Sequence, residues 1–364
     1  MSIPPILNRA DASAYDPVAV GIDSLYLSSF YDGLGIDWEA LRFEKEKLRA
    51  TPGALHTELE LGGERFALHR AGAKPYSFIL SNRAFSLQLG QNIRPLCHAQ
   101  FKSHLLWTSG LDAALTRYNR LWVHAGSKAT RPDVVSRVDT AFDFRIGKPD
   151  FRTEHFVSQA KKDATWREDG AFQSVRFGNS AVVCRVYDKI AEIEQQSAKD
   201  WLFDLWGARD GVWRCEFQMR GERLKQAGIA TVEHMHAHLP SLVRHLAKRH
   251  TSLRIAKTDT NRSRWSVHPM WKGLIASTNR LTTPPERTPP PLLMGSDYQL
   301  QRQVQSLLGD LKGIAATLSV NRKTNPVTLD ELLERLPGLA RPYHSPNLWN
   351  ADVLEKLRKR ELGL

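Results

Sequence analysis

Three stretches of this chain alternate between apolar and polar residues, and in each the polar residues are mostly acids, arginines or a phenol. In residues 181–189 (AVVCRVYDK), Val182, Cys184 and Val186 fall on one side of a strand, with Arg185 and Tyr187 on the other. Val183 is the one apolar exception, and Lys189 lies just past the strand end. In 137–145 (RVDTAFDFR), Val138, Phe142 and Phe144 oppose Arg137, Asp139, Asp143 and Arg145. In 212–220 (VWRCEFQMR), Trp213, Cys215, Phe217 and Met219 oppose Arg214, Glu216, Gln218 and Arg220. Residues 173–178 add Val175 and Phe177 against Ser174 and Arg176. A solvated sheet face also alternates, but it usually mixes Lys, Thr, Ser and Glu. A face of arginines and acids around one tyrosine reads better as a built site.

The charge balance says what such a face would meet. The 364 residues carry a formal net charge of +12, with a pI of about 9.7. That excess favours a polyanion, nucleic acid first and an anionic membrane surface second. No apolar run approaches the roughly 20 residues of a membrane span, and the N-terminus lacks the charged start and greasy block of a signal peptide. Cys97, Cys184 and Cys215 make an odd set without CxxC spacing. They read as buried thiols of a cytoplasmic protein, not as a zinc site or a disulfide frame.

Along the chain, residues 1–17 read as a flexible arm. A strand at 18–28 is followed by a helical pattern at 37–49, short strands near 55–61, 65–68, 76–80, 85–89 and 96–106, and a helix at 111–124. The second half repeats the rhythm: a strand at 136–145, a helix at 153–162, a hairpin of 172–178 with 181–187 turning at Gly178-Asn179, a helix at 188–198, a strand at 212–220 and a helix from 221. The similar stretches VGIDSLYLS and SRVDTAFDF open the two series and suggest a pseudo-duplicated α+β unit. Antiparallel-rich sheet with helices on one face is therefore expected over 18–280. A further helix spans 231–250, kinked or restarted at Pro240. The Pro-rich stretch 281–295 reads as a stiff linker. It leads to a small all-α module over 296–364, where Leu300, Val304, Leu307, Leu311, Ile314 and Leu318 form a seam of period 3.5. That seam suits a homodimer or docking within its own module. Thr328 with Glu331 reads as a capping box.

A tyrosine can attack phosphorus, but its phenol is weak at a pKa near 10 and needs cations or a metal nearby. Tyr187 has Arg185 and Lys189 beside it, and Arg137 and Arg214 come from other strands; Arg137, Arg214 and Arg220 are also candidates to contact DNA. Asp139, Asp143 and Glu216 are candidates to hold a hard divalent ion such as Mg²⁺ or Mn²⁺. In a regular strand, residues i and i+4 lie about 13 Å apart. Asp139 and Asp143 therefore cannot both ligate one ion without a bulge; one binds metal, and the other orients an arginine or lies outside the site.

Three segments carry a resemblance: the R-x-D-x-x-x-D-F strand (137–144), R-x-Y-D-K-x-x-E (185–192) and R-x-E-F (214–217). Over roughly 18–274 the chain resembles the replication initiation factor family, which includes Rep-trans rolling-circle initiators and related relaxases of conjugative elements. The resemblance implies origin-specific DNA binding, single- and double-stranded, and metal-dependent nicking that leaves a tyrosine bonded to the 5′-phosphate. Carried over, Tyr187 is the nucleophile, Asp139 or Asp143 with Glu216 holds the metal, and Lys189 and Arg185 contact phosphate. Host helicase or replication proteins would then be further partners. The alternative is a non-catalytic DNA-binding or regulatory protein on the same scaffold.

Two other stretches compete for attention. His234-Met235-His236-Ala237-His238 looks like a metal motif of another rolling-circle nuclease class, but its flanks are helical, so solvated histidines are the simpler expectation. Residues 254–272 set Arg262, Arg264 and Lys272 among Trp265 and Trp271, which suits phosphate contact and base stacking. No Walker loop, GxGxxG, HExxH or GxSxG occurs.

Overall fold

The alternating stretches become neighbours in one sheet. A computed structural model describes residues 15–197, 199–283, 297–319, 326–340 and 346–362. Strand β1 (Ala19–Ser29) leads through helix α1 (Trp38–Ala50), whose N-terminus is capped by the Asp37 carboxylate, to β2 (His56–Leu61). From that edge β3 (Glu64–His69), β4 (Phe78–Ser81), β5 (Phe85–Leu89) and β6 (Cys97–Phe101) step back until β6 pairs with β1. Helix α2 (Ser103–His124) follows, bent where Gly110 takes φ 77°.

The second round begins at β7 (Val134–Arg145), antiparallel to β1. It passes a short strand, β8 (Phe156–Ser158), starts again at the far edge with β9 (Asp163–Glu168), and returns through β10 (Ala171–Phe177) and β11 (Val182–Asp188). Helix α3 (Lys189–Glu192), a π-helical turn over Ile193–Ser197 and α4 (Trp201–Trp206) then intervene before β12 (Val212–Arg220) pairs with β7. The result is an eleven-stranded antiparallel sheet in the order β2-β3-β4-β5-β6-β1-β7-β12-β11-β10-β9. Each half runs from the centre to its own edge and meanders back, so the duplication suggested by VGIDSLYLS and SRVDTAFDF appears as topology.

The apolar positions of the strands share one face. Leu25, Leu27, Phe85, Phe101, Val138, Phe142, Cys184, Val186, Cys215 and Phe217 are buried there, and each large side chain contributes about 1.5–3 kcal/mol by leaving water. Tyr118 and Trp122 of α2 pack on that core. So do residues after β12, from α5 (Gly221–Gln226), α6 (Val232–Arg249) and α7 (Pro269–Ala276), including Met235, Leu239, Val243 and Trp271. Between α6 and α7, β13 (Thr251–Leu253) pairs with β8. All three cysteines are free and buried.

Several local expectations change. The helix anticipated at 153–162 is a 3₁₀ turn, Thr153–His155, followed by β8. Phe156 is the reason: its ring packs edge-on against Phe151 and Trp271, and tertiary burial outweighs the helical pattern. The strand anticipated to reach 106 stops at Phe101, and the helix starts at Ser103. Helix α6 is capped by Thr231 and passes Pro240 without a restart. The chain divides into two compact units, 1–289 and 290–364. In the second, the described residues form α8 (Asp297–Ser319), α9 (Leu329–Ala340) and α10 (Pro346–Leu362), with Thr328 and Glu331 exchanging capping hydrogen bonds. The seam splits. Leu311 is buried with Val327 and Leu332, and Leu318 packs on them, while Val304, Leu307 and Ile314 stay exposed. The arm at 1–14 and the side chain of Leu300 lie outside the described residues.

Candidate active site on the polar face of the sheet

Strand register brings the reactive residues together. Arg185 pairs with Glu216, Tyr187 with Arg214, Gln218 with Asp139, and Arg137 with Tyr26. Paired residues share a face, so β1, β7, β12, β11 and β10 present Tyr26, Arg137, Asp139, Glu216, Arg185, Tyr187, Ser174 and Arg176 on one surface, opposite the core. These residues line a cavity of about 720 Å³. Its walls come from the β9–β10 hairpin, through Trp166 and Arg167, and from the segment after β11, through Lys189, Glu192 and Lys199.

At its floor the half-buried Tyr187 donates its phenolic hydrogen bond to Glu216 Oε2 at 3.1 Å. Arg185 Nη1 donates to Glu216 Oε1 at 2.8 Å, and Arg137 grips Asp139 through Nε and Nη2 at 2.8 and 2.5 Å. The expected electrostatics are reversed at the phenol. Burial first, then the Glu216 charge, push Tyr187 well above the ordinary phenol value, outweighing Arg214. The hydroxyl is held protonated against an acceptor instead of being ionised by cations. Lys189 is 1% exposed, bonded to Glu192, with Nζ 5.6 Å from the Tyr187 ring centre. Burial, then Arg214 and Lys199, lower its pKa to about 8.

One end of the same face is closed over. Arg214, with no exposure, forks onto Asp143 at 2.6 and 2.8 Å and sends Nη1 to Asp23 at 2.8 Å. Trp206 Nε1 donates to Asp143 and Trp107 Nε1 to Asp23, both at 2.9 Å. Burial alone would raise Asp23, but Arg214, Lys199 and Lys189 outweigh it, and the carboxyl stays well below its usual range. Gly21 makes room: a Cβ there would meet the Trp107 ring at 3.0 Å. Two expectations are corrected by this cluster. Arg214 cannot reach DNA, since its guanidinium is enclosed by two carboxylates. Asp143 has no exposure, does not line the cavity and is bonded to Arg214 and Trp206, so of the roles open to it, it orients an arginine. Asp23 was missed; it sits at a register shift in β1, where regular alternation cannot place it.

The chemistry of the donor set suits a hard cation at only two of the three candidate acids. Asp139 and Glu216 sit diagonally on adjacent strands and both line the cavity. Burial raises Asp139 to about 6, and repulsion by Glu216 adds to it against the Arg137 hydrogen bond. A divalent ion between them would relieve that repulsion. The amide nitrogen of Gln218, on the Asp139 rung and 1% exposed, has no hydrogen-bond partner. Among the described residues no three His, Cys, Asp or Glu side chains converge as a metal cage.

The remaining basic candidates lie apart. Arg220 is exposed at the end of β12, paired with Arg137 on the polar face. Arg262, Arg264, Trp265 and Lys272 do not line the cavity. Arg262 bonds the Glu154 carbonyl, Trp265 bonds that of Asp259, and Trp271 belongs to the core. His234 and His238 are exposed on α6, while His236 lies 3.3 Å from Asp112. Among the described residues no helix is long and apolar enough to cross a membrane.

No family model matches this chain, and no curated protein matches it. Among solved structures it is similar to the rolling circle replication initiator protein from Geobacillus stearothermophilus, with a TM-score of 0.40 and 16% identity, over 72% of this chain and 98% of that one.

Proposed function

We propose that this chain is a DNA-nicking and strand-transfer protein that initiates rolling-circle replication, or conjugative transfer, of a mobile element. The observation that carries the reading is the Tyr187 hydroxyl, bonded to Glu216 at the floor of a cavity that also holds Asp139, Arg137, Arg185 and Arg176.

In this reading Arg176 and Arg185 receive the non-bridging oxygens of a backbone phosphate. Glu216 accepts the phenolic proton it already faces. The Tyr187 oxygen then forms a bond to phosphorus as the bond to the 3′ oxygen breaks. The electron pair leaves with that oxygen, which takes up a proton, and the 5′-phosphate stays on the tyrosine. Asp139 and Glu216 are the residues that would hold Mg²⁺ or Mn²⁺, which when bound would draw charge from the scissile phosphate and favour phenolate. The chain's formal net charge of +12 supplies non-specific attraction to DNA.

The test is a band-shift with a supercoiled or single-stranded origin substrate, in the presence and absence of Mg²⁺ or Mn²⁺. Wild type should give a metal-dependent adduct that survives denaturant, and Tyr187→Phe should lose the adduct yet retain the DNA. Equal nicking by that variant overturns the mechanism. Retention of DNA by wild type with no adduct at all would instead establish the non-catalytic alternative.

A further inference from the structure

Away from the Asp23 end of β1, the outward positions of β1, β5 and β6 differ from those of the strands around Tyr187. Tyr26, Ser28, Ser86, Gln88, His98 and Gln100 occupy them, all half-exposed and none of them acidic, lysine or arginine. Three rings run across this surface: Tyr26 and His98 lie 5.8 Å apart between centres with planes at 32°, and His98 and Tyr76 6.3 Å apart with planes at 21°. Burial lowers the His98 pKa, which favours the uncharged ring over the imidazolium. The row is continuous with the cavity. Tyr26 and Gln100 line it, and the Arg137 guanidinium lies 4.8 Å from the Tyr26 ring centre.

We propose that the Tyr26–His98–Tyr76 row is a track for single-stranded DNA, receiving the unpaired bases next to the phosphate held at Tyr187. The assignment rests on the nicking reading above. It follows from what the two surfaces offer. Guanidiniums and carboxylates suit a phosphate and an ion, whereas aromatic faces suit stacked bases and the Gln88 and Gln100 amides suit their edges. A duplex hides its base faces and gains nothing from rings. A surface without carboxylates does not repel the adjoining backbone, and the strongly basic chain attracts it.

The experiment uses the full chain in EDTA and fluorescence anisotropy with a short labelled oligonucleotide, alongside the same oligonucleotide carrying abasic residues and its duplex. Tyr76→Leu and His98→Leu should each weaken single-strand binding about 5- to 10-fold, within the range seen when one stacking ring is removed. Tyr76→Phe should bind as wild type, since the ring is kept. Binding of the abasic strand and of the duplex should change less than about 2-fold. Unchanged single-strand affinity, or equal losses on the abasic strand or the duplex, overturns the track. Melting curves matching wild type show that the variants fold. Because no metal is present, binding is read apart from chemistry: a protein that binds this way but never forms an adduct loses only the nicking reading, and one that forms the adduct without ring-dependent binding loses only the track.

Discussion

The two halves of the sheet run the same course and carry opposite chemistry. From β1 the chain goes to one edge and returns at β6; from β7 it goes to the other edge and returns at β12. On β5, β6 and the adjoining end of β1 the outward residues are serine, glutamine, histidine and tyrosine; on β7, β12 and β11 they include aspartate, glutamate and arginine. The connections differ as well. A short link, residues 90–96, joins β5 to β6, but α3, the π-helical turn and α4 stand between β11 and β12 and close over the Asp143 end. The difference teaches that an antiparallel meander places alternate residues on one surface whatever they are. Chemistry is then added where an inserted segment walls the surface and lets charges be buried. Asp23 of β1 joins the ion network of the second half, and among the described residues the outward positions of β5 and β6 carry no ion pair.

If that is right, substitutions should be unequal between the halves. The largest stability effect belongs to Arg214→Leu. It leaves Asp143 and Asp23 facing each other with their common cation gone, and breaking a buried pair from one side costs about 3–5 kcal/mol. Urea unfolding should show the midpoint falling with little change in slope; a loss under about 1 kcal/mol would mean that water already reaches the cluster. Glu216→Gln removes the acceptor of the Tyr187 proton and the partner of Arg185 while keeping the volume. Adduct formation should fall about 100-fold or more, the usual worth of a positioned base, with DNA retention kept. Gln88→Ala, at an outward position of the first half, should shift stability by no more than about 0.5 kcal/mol.

Much of this could be read along the chain. The strand at 212–220 has the anticipated bounds, and alternation put Tyr187, Glu216 and Asp139 on one face before any pairing was known. What alternation cannot give is register and cover. Whether Asp139 or Asp143 faced the cavity depended on which lay under Trp206 and opposite Arg214, a long-range matter. Asp23 was hidden by a register shift, and Lys189, adjacent to the strand in sequence, is buried in the cavity wall, paired with Glu192 and with its ammonium over the Tyr187 ring. The sign of the Tyr187 shift likewise depended on burial: counting neighbouring cations in sequence gave the opposite answer.

The most specific effect separates the acid that fits an ion from the one that does not. Asp139 is raised from the ordinary 3.8 to about 6, so the folded protein binds that proton more tightly than the unfolded chain does. Its contribution to stability is therefore intact at low pH, declines as pH climbs from about 4 to 6, and is a constant penalty above that. The displacement corresponds to on the order of 3 kcal/mol, and losing part of the Arg137 contact returns about 1. Asp139→Asn should thus raise stability by about 2 kcal/mol at pH 7.5 in EDTA, with the gain vanishing toward pH 4. Millimolar Mg²⁺ or Mn²⁺ should stabilise wild type at pH 7.5, by neutralising Asp139 and Glu216 together, and should stabilise Asp139→Asn much less. Thermal melts at the two pH values, with and without the ion, read all four quantities. If the ion stabilises both proteins equally, it binds away from Asp139, and the charged half of the face is a store of ion pairs instead of a metal-assisted phosphate site.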